Sequence, residues 1–310
     1  MAKWNVGRFV VSQVQEIPVA VGILDGLIAE ATPEVVRSID WMFPDFANEA
    51  GQTLWDIHSY VVDTGEEVIL VDPGCGNGKS LPLQPAWSDL DTPFLARLAA
   101  AGYAVDDIDI ILCTHLHLDH VGWCASRSDN GEWRPTFPNA QLVLVQDEYD
   151  QFLETMNASD DEAAHGIVFE GSDPSVPGQY RKVWQETLEP VVSANRLDLV
   201  VSGAEVVTGI RYIPTPGHTR GHHSISLESG EARAFITGDF IHHPMQIARP
   251  AWSSKNDWDV SASARSRWDF LESCAGTDLL VLGTHFTGEG AGHIVADGHG
   301  FRLVPVTTVP

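Results

Sequence analysis

Five short apolar runs in this chain each end on a histidine or an aspartate, and no other feature constrains the fold as much. They are EVILVD (67–72), DIILCTH (109–115), IRYIPTPGH (210–218), RAFITGD (233–239) and DLLVLGTH (278–285), closing on Asp72, His115, His218, Asp239 and His285. Their β-branched content predicts buried strands. SYVVD (59–63) and AQLVLVQ (140–146) read the same way, and SYVVD forms a hairpin with EVILVD closed at Thr64-Gly65. Helical spacing falls between strands, in TPFLARLAAAGY (92–103) and DEYDQFLETM (147–156). Strands mixed with helices predict an α/β protein, and paired sheets suit the hairpin better than a doubly wound sheet. Polar side chains at strand ends converge on one edge of a sheet core, where α/β proteins carry their sites.

The densest cluster is THLHLDHVGW (114–123). His115 and His117 are two apart, so an extended backbone puts both imidazoles on one side, able to share a metal ion. A turn into helix after them swings Asp119 and His120 towards a second position. Neutral imidazole is a common ligand for zinc and similar ions, and carboxylates complete or bridge such sites. The H-x-H-x-D-H spacing therefore points to two ions rather than one. Two ions sharing a water lower its pKa to about 7, which makes a metal-bridging hydroxide the nucleophile. No serine or cysteine nucleophile is then needed, and no G-x-S-x-G elbow is present. Asp119 is the candidate to hand a proton to a departing alkoxide.

Other signals narrow the function by exclusion. GCGNGKS (74–80) imitates a phosphate loop, but the G-x-x-x-x-G-K-S pattern needs glycine where Pro73 stands. The dinucleotide fingerprint fails too, because its third glycine falls at Lys79. A formal charge of −25, from 43 acidic and 18 basic residues, repels phosphate backbones and anionic membranes, so neither nucleic acid nor membrane is expected as a partner. No apolar window is long enough to span a bilayer, and the first residues do not have the layout of a signal peptide, so a cytoplasmic location is expected. Cys75, Cys113, Cys124 and Cys274 form no C-x-x-C pair and read as reduced thiols. The stretch 157–183 reads as a loop or short helices, and WMFPDF (41–46) as core packing.

From about Ser59 to Phe286 the chain resembles the metallo-β-lactamase-fold hydrolases, through H-x-H-x-D-H, PTPGHTRGH, the TGD strand end and the final GTH. The resemblance implies an αββα sandwich, two facing mixed β-sheets flanked by helices, as a single domain over 1–310. Residues 1–50 are then an N-terminal extension packing on the body or on a subunit partner. Carried over by position, His115, His117 and His218 hold a first metal, Asp119, His120 and His285 a second, and Asp239 bridges both. His218 is preferred to His222 because it follows the tight Thr-Pro-Gly turn. Arg220 stands where many relatives have proline. Asp72 corresponds to an aspartate that orients a ligating imidazole by hydrogen bond.

Within that fold the chain looks most like the quorum-quenching N-acyl homoserine lactonase and methyl parathion hydrolase branch. The lactonases commonly carry a tyrosine three residues after the bridging aspartate; here that place is His242, in a GD-x-x-H-x-x-x-Q pattern closer to the methyl parathion hydrolases. Histidine can still donate a hydrogen bond to an oxyanion. The expected activity is opening of a lactone, N-acyl homoserine lactone first, or cleavage of an ester with an apolar acyl or aryl group. Organophosphate triester or aryl ester hydrolysis is the alternative, and a redox di-iron protein on the same fold stands behind both. The expected ions are two Zn2+, with iron, manganese or cobalt as substitutes. Trp123 and Trp252 are the candidates to line a pocket for the apolar part of a small-molecule substrate. A homodimer is expected by analogy with the lactonases.

Overall fold

The computed structural model describes residues 2–22, 26–159, 161–162, 175–288 and 290–306. By its contacts the chain divides into two compact units, one of Val10–Glu16 and His58–Ser202, the other of Ala2–Phe9, Ile17–Ile57 and Gly203–Pro310. Sixteen strands are distributed over two large sheets and a short ribbon among the described residues.

The first five strands are β1 (Lys3–Val6), β2 (Phe9–Val21), β3 (Leu54–Asp63), β4 (Val68–Val71) and β5 (Ile110–Leu112). A ribbon of β6 (Ala125–Arg127) and β7 (Trp133–Pro135) precedes β8 (Gln141–Val145) and β9 (Leu197–Val200). The first sheet has the order β1-β2-β3-β4-β5-β8-β9. The β3–β4 hairpin is antiparallel, and β4, β5, β8 and β9 then run parallel. Such strands are buried on both faces, which is why VILV and QLVLV are nearly unbroken apolar runs. At the hairpin turn the Thr64 hydroxyl accepts the Glu66 and Glu67 N–H groups, as a Thr-Gly turn should allow.

The second sheet follows chain order: β10 (Glu205–Val207), β11 (Ile210–Pro214), β12 (His223–Ser229), β13 (Ala232–Ile236), β14 (Leu280–Leu282), β15 (Ala291–Asp297) and β16 (Gly300–Pro305). Only β13 and β14 pair in parallel, with the helix Val260–Cys274 on their connection. Strands β11, β13 and β14 share one direction. Chain leaving their C-terminal ends therefore emerges at one edge, and His218, Asp239 and His285 all lie just past those ends. By the same logic Asp72 and His115 follow the parallel β4 and β5.

Two mixed sheets with helices make the expected α/β class, with the element content of the αββα sandwich. The predicted strands and both predicted helices are present, the helices as Phe94–Ala101 and Gln146–Asn157. In the first 50 residues, β2 is thirteen residues long, and Trp41, Met42 and Phe46 join the buried cluster of the second unit while Phe43 is exposed. The stretch 157–183 ends in the helix Val176–Val183; its residues 160 and 163–174 lie outside the described residues. No helix among the described residues is long and apolar enough to cross a membrane. All four cysteines are free thiols and buried.

Candidate metal centre

In the first unit, His117 is still extended (φ −70°, ψ 160°) and the short helix Leu118–Val121 starts directly after it. His115 Nε2 lies 3.0 Å from His117 Nδ1, and the ring centroids of His115 and His120 are 4.0 Å apart. His120 Nε2 is 3.7 Å from the Asp119 carboxylate. Asp72 takes a left-handed conformation (φ 50°) that lets its carboxylate turn back on the neighbouring strand. Its Oδ1 accepts the Thr114 N–H at 2.7 Å; its Oδ2 accepts the Thr114 hydroxyl at 2.8 Å and lies 3.2 Å from His120 Nδ1. One carboxylate thus holds both the strand end before His115 and the ring of His120. Glu148, which sequence reasoning did not single out, accepts the Leu116 N–H at 2.8 Å and fixes the backbone between the first two histidines.

The loop after Asp72 is seated on a second buried carboxylate. Glu16 accepts the Cys75 N–H at 2.6 Å, the Gly76 N–H at 3.0 Å and the Trp123 indole N–H at 2.6 Å. Burial pushes the Glu16 pKa up, and these donors hold it back. Trp123 is 3% exposed and stacks on Phe94 with centroids 5.3 Å apart, so the structure places it in the interior of this unit. Gly122 is needed beside it because a Cβ there would stand 1.8 Å from the Cys75 carbonyl carbon. Lys79, from the phosphate-loop look-alike, is buried and donates to the Ala125 and Glu186 carbonyls over the Trp133 ring. Burial brings its pKa down to about 7, and its contacts are those of a structural clamp.

In the second unit three imidazoles surround one carboxylate. Asp239 has His285 Nε2 at 3.1 Å, His242 Nε2 at 3.5 Å and His218 Nε2 at 3.7 Å. The far nitrogens are also engaged: His285 Nδ1 with the Asp56 carbonyl at 3.0 Å, His218 Nδ1 with the Asp257 carboxylate at 2.9 Å. A carbonyl can only accept, so His285 carries its proton on Nδ1, and in the neutral ring Nε2 presents a bare lone pair to Asp239. Two lone pairs at that distance repel, and a cation between them turns repulsion into coordination. The donor set is nitrogen and oxygen, buried, with outer hydrogen bonds of the kind that orient ligating histidines, so these residues fit a divalent ion.

His222, passed over as a ligand, has another task. Its Nδ1 meets the Thr215 hydroxyl at 2.8 Å and its Nε2 accepts the Asp239 N–H at 2.9 Å, so it anchors the backbone of the carboxylate. His242 is 3% exposed; burial pushes its pKa down to about 4, and Nδ1 has no hydrogen-bond partner among the described residues. The backbone N–H of His242 donates to Gln246 Oε1 at 2.8 Å. Gln246 in turn donates to the Trp252 carbonyl at 3.0 Å. The Trp252 ring packs against the core cluster and lines a cavity of about 560 Å3 with Trp41, Arg249, Trp268, His299 and Phe301. Asp257 is the functional neighbour that sequence reasoning missed. It lies 39 positions from its partner His218, and nothing in the run NDWD distinguishes it from its acidic neighbour.

Residues 53–285 match the family model of the metallo-beta-lactamase superfamily. The chain belongs to that superfamily. A probable metallo-hydrolase of Mycobacterium tuberculosis is 26% identical over 204 residues, covering 60% of this chain and 57% of that protein. An N-acyl homoserine lactonase of Bacillus cereus is 27% identical over 183 residues, covering 55% and 57%. The chain thus spans little more than half the length of these curated relatives. Among solved structures it is similar to the beta-lactamase-superfamily hydrolase AbOPH, at TM-score 0.79 and 23% identity over 100% of this chain and 98% of that one. It is also similar to the dizinc quorum-quenching lactonase AidC, solved with the product N-hexanoyl-L-homoserine, at TM-score 0.76 and 21% identity over 99% and 98%. At these identities the two likenesses establish the fold.

Proposed function

We propose that this chain is a dinuclear metal-dependent hydrolase that opens lactones, or cleaves esters carrying an apolar acyl or aryl group, with N-acyl homoserine lactones as first substrate class. The observation that carries the reading is the Asp239 carboxylate with three imidazole nitrogens turned on it, two of those rings held from behind by Asp56 and Asp257. His115, His117 and His218 would hold one ion, Asp119, His120 and His285 the other, with Asp239 between them. Zinc suits this nitrogen and oxygen set, with iron, manganese and cobalt as substitutes. When bound, the ions supply Lewis acidity towards the ester carbonyl and a water of lowered pKa.

The chain's own residues do the rest. His242 is neutral at pH 7 because burial pushes its pKa down to about 4. A neutral imidazole offers one N–H to the oxygen on which charge develops without adding a second buried cation. Asp119 returns a proton to the departing alkoxide. Asp72 and Glu148 hold the histidine-bearing turn in place through Thr114, His120 and Leu116. Of the two tryptophans expected at the pocket, Trp123 is taken up by Phe94 and Glu16 in the interior, so Trp252 alone is proposed to bound the space for the apolar tail, and the working form to be a homodimer. The presence of His242 at the lactonase tyrosine's place is what favours the organophosphate or aryl ester alternative.

Proton release by the metal-loaded protein on a long-chain N-acyl homoserine lactone tests the reading, with Asp119→Ala as control. We expect release that Asp119→Ala lowers by about a hundredfold or more, as for loss of general acid help and of a ligand together. No release from protein shown to hold two ions contradicts the lactonase assignment and directs the search to aryl esters and phosphotriesters.

A further inference from the structure

Helix Val260–Cys274 carries a fully buried arginine that no step above uses. Arg267 is 0% exposed, yet its guanidinium is almost entirely spoken for. It donates to the carbonyls of Phe240, Pro250 at 2.9 Å and Trp252 at 2.6 Å, and to the Ser253 hydroxyl at 3.0 Å. Its Nη1 also reaches the Ser263 hydroxyl at 3.4 Å, and Ser263, itself buried, is hydrogen-bonded to Asp257. Asp257 is buried as well, takes the Ser254 N–H at 3.1 Å and ends on His218 Nδ1 at 2.9 Å. A continuous chain of polar contacts therefore runs Arg267, Ser263, Asp257, His218.

The backbone is fitted to that chain. The Pro-Thr-Pro-Gly-His turn docks on the start of the helix: Trp258 donates its N–H to the His218 carbonyl at 3.0 Å, and Asp259 to the Gly217 carbonyl at 2.9 Å. Gly217 (φ 135°) approaches so closely that a Cβ would lie 2.1 Å from the Ser263 nitrogen. A buried cation and a buried anion are each costly alone, and here each compensates the other within a hydrogen-bonded frame. An apolar core would hold helix to sheet more cheaply. What the polar chain adds is direction: a carboxylate behind Nδ1 puts the ring's proton there and turns the lone pair of Nε2 towards Asp239.

We infer that Asp257, tied through Ser263 to Arg267, is the positioning residue that fixes His218 in its Nδ1–H form and presents Nε2 to a metal ion. The inference rests on the reading of His218 as a ligand. Arg267 also anchors the neighbouring chain, through the Phe240, Pro250 and Trp252 carbonyls and the Ser253 hydroxyl.

Cobalt(II) titration of the metal-free full-length protein, followed by its visible d–d bands, reads this without any substrate. The native chain should take up two equivalents. Asp257→Ala should weaken one of the two by about ten- to a hundredfold and alter the bands of that ion, with the far-ultraviolet circular dichroism unchanged. Asp257→Asn should fall between, since its amide oxygen still accepts the Nδ1 proton without the charge. Should Asp257→Ala fail to fold, the nitrogen-15 shifts of His218 in the native metal-free protein decide: a proton on Nδ1 supports the role and a proton on Nε2 overturns it. Both variants matching the native chain in affinity and spectrum also overturns it. A native chain that takes up no cobalt overturns this inference together with the metallohydrolase reading. A native chain that binds two ions and ignores lactones, with Asp257→Ala weakened, leaves the positioning role standing and removes only the substrate.

Discussion

At the scale of single residues, the buried histidines divide by what their second nitrogen does. His222 spends both nitrogens on protein, so replacing it by phenylalanine leaves the Asp239 N–H without an acceptor in the interior. We expect His222→Phe to lose about 1–3 kcal/mol of stability, measured by urea unfolding. His242 and His243 are held neutral by burial, each with a pKa pushed down to about 4. Both folded values lie below the ordinary histidine range, so the unfolded chain binds more protons between about pH 4 and 6.5. Stability is then fully present above that window and falls as pH drops through it. Urea midpoints at pH 7 and pH 5 check the sign, and an unchanged midpoint contradicts it. The ligand candidates were legible because they cluster in short motifs at strand ends. Asp257, Glu148 and Glu16 were not, since a carboxylate that serves a distant backbone or ring carries no local signature.

At the scale of elements, the strand-end rule picked out the candidate ligands because strands that share one direction send their chain out at one edge, whatever the loops then do. Strand lengths were harder. β3 begins at Leu54 rather than Ser59 because Asp56 and His58 interrupt the apolar pattern yet are buried. β2 escaped notice because FVVSQVQEIPVAV mixes Ser, Gln and Glu into its buried face, Glu16 among them. The Gly217 turn packs closely on the start of the helix Val260–Cys274, where a Cβ would meet the Ser263 nitrogen at 2.1 Å. Gly217→Ala combines an unfavourable φ with a backbone clash, and we expect a loss of about 2 kcal/mol or more, together with weaker metal binding because His218 is the next residue. A stability and metal affinity equal to the native chain would show that the turn can relax without moving the helix.

At the scale of the whole molecule, the chain carries a formal charge of −25 and a sequence pI near 4.6, a field that draws cations inward. Ions bound to the native state alone stabilise it by mass action, by about 4 kcal/mol at a thousandfold excess over the dissociation constant. Dialysis against a chelator should therefore lower the urea midpoint, and returning zinc should restore it. The superfamily was legible from the motifs alone, since the family match over residues 53–285 spans the same stretch as the resemblance read from about Ser59 to Phe286. The place of β1 and β2 beside β3 in the first sheet was not, because Ser, Gln and Glu interrupt the apolar pattern of β2. Metal content of the purified protein after exposure to excess zinc and gel filtration, read by elemental analysis against protein concentration, is the direct test. We expect two equivalents per chain, reduced when His115 and His117 are both replaced by alanine. One equivalent or less in the native chain would contradict the dinuclear centre and with it the hydrolytic mechanism built on it.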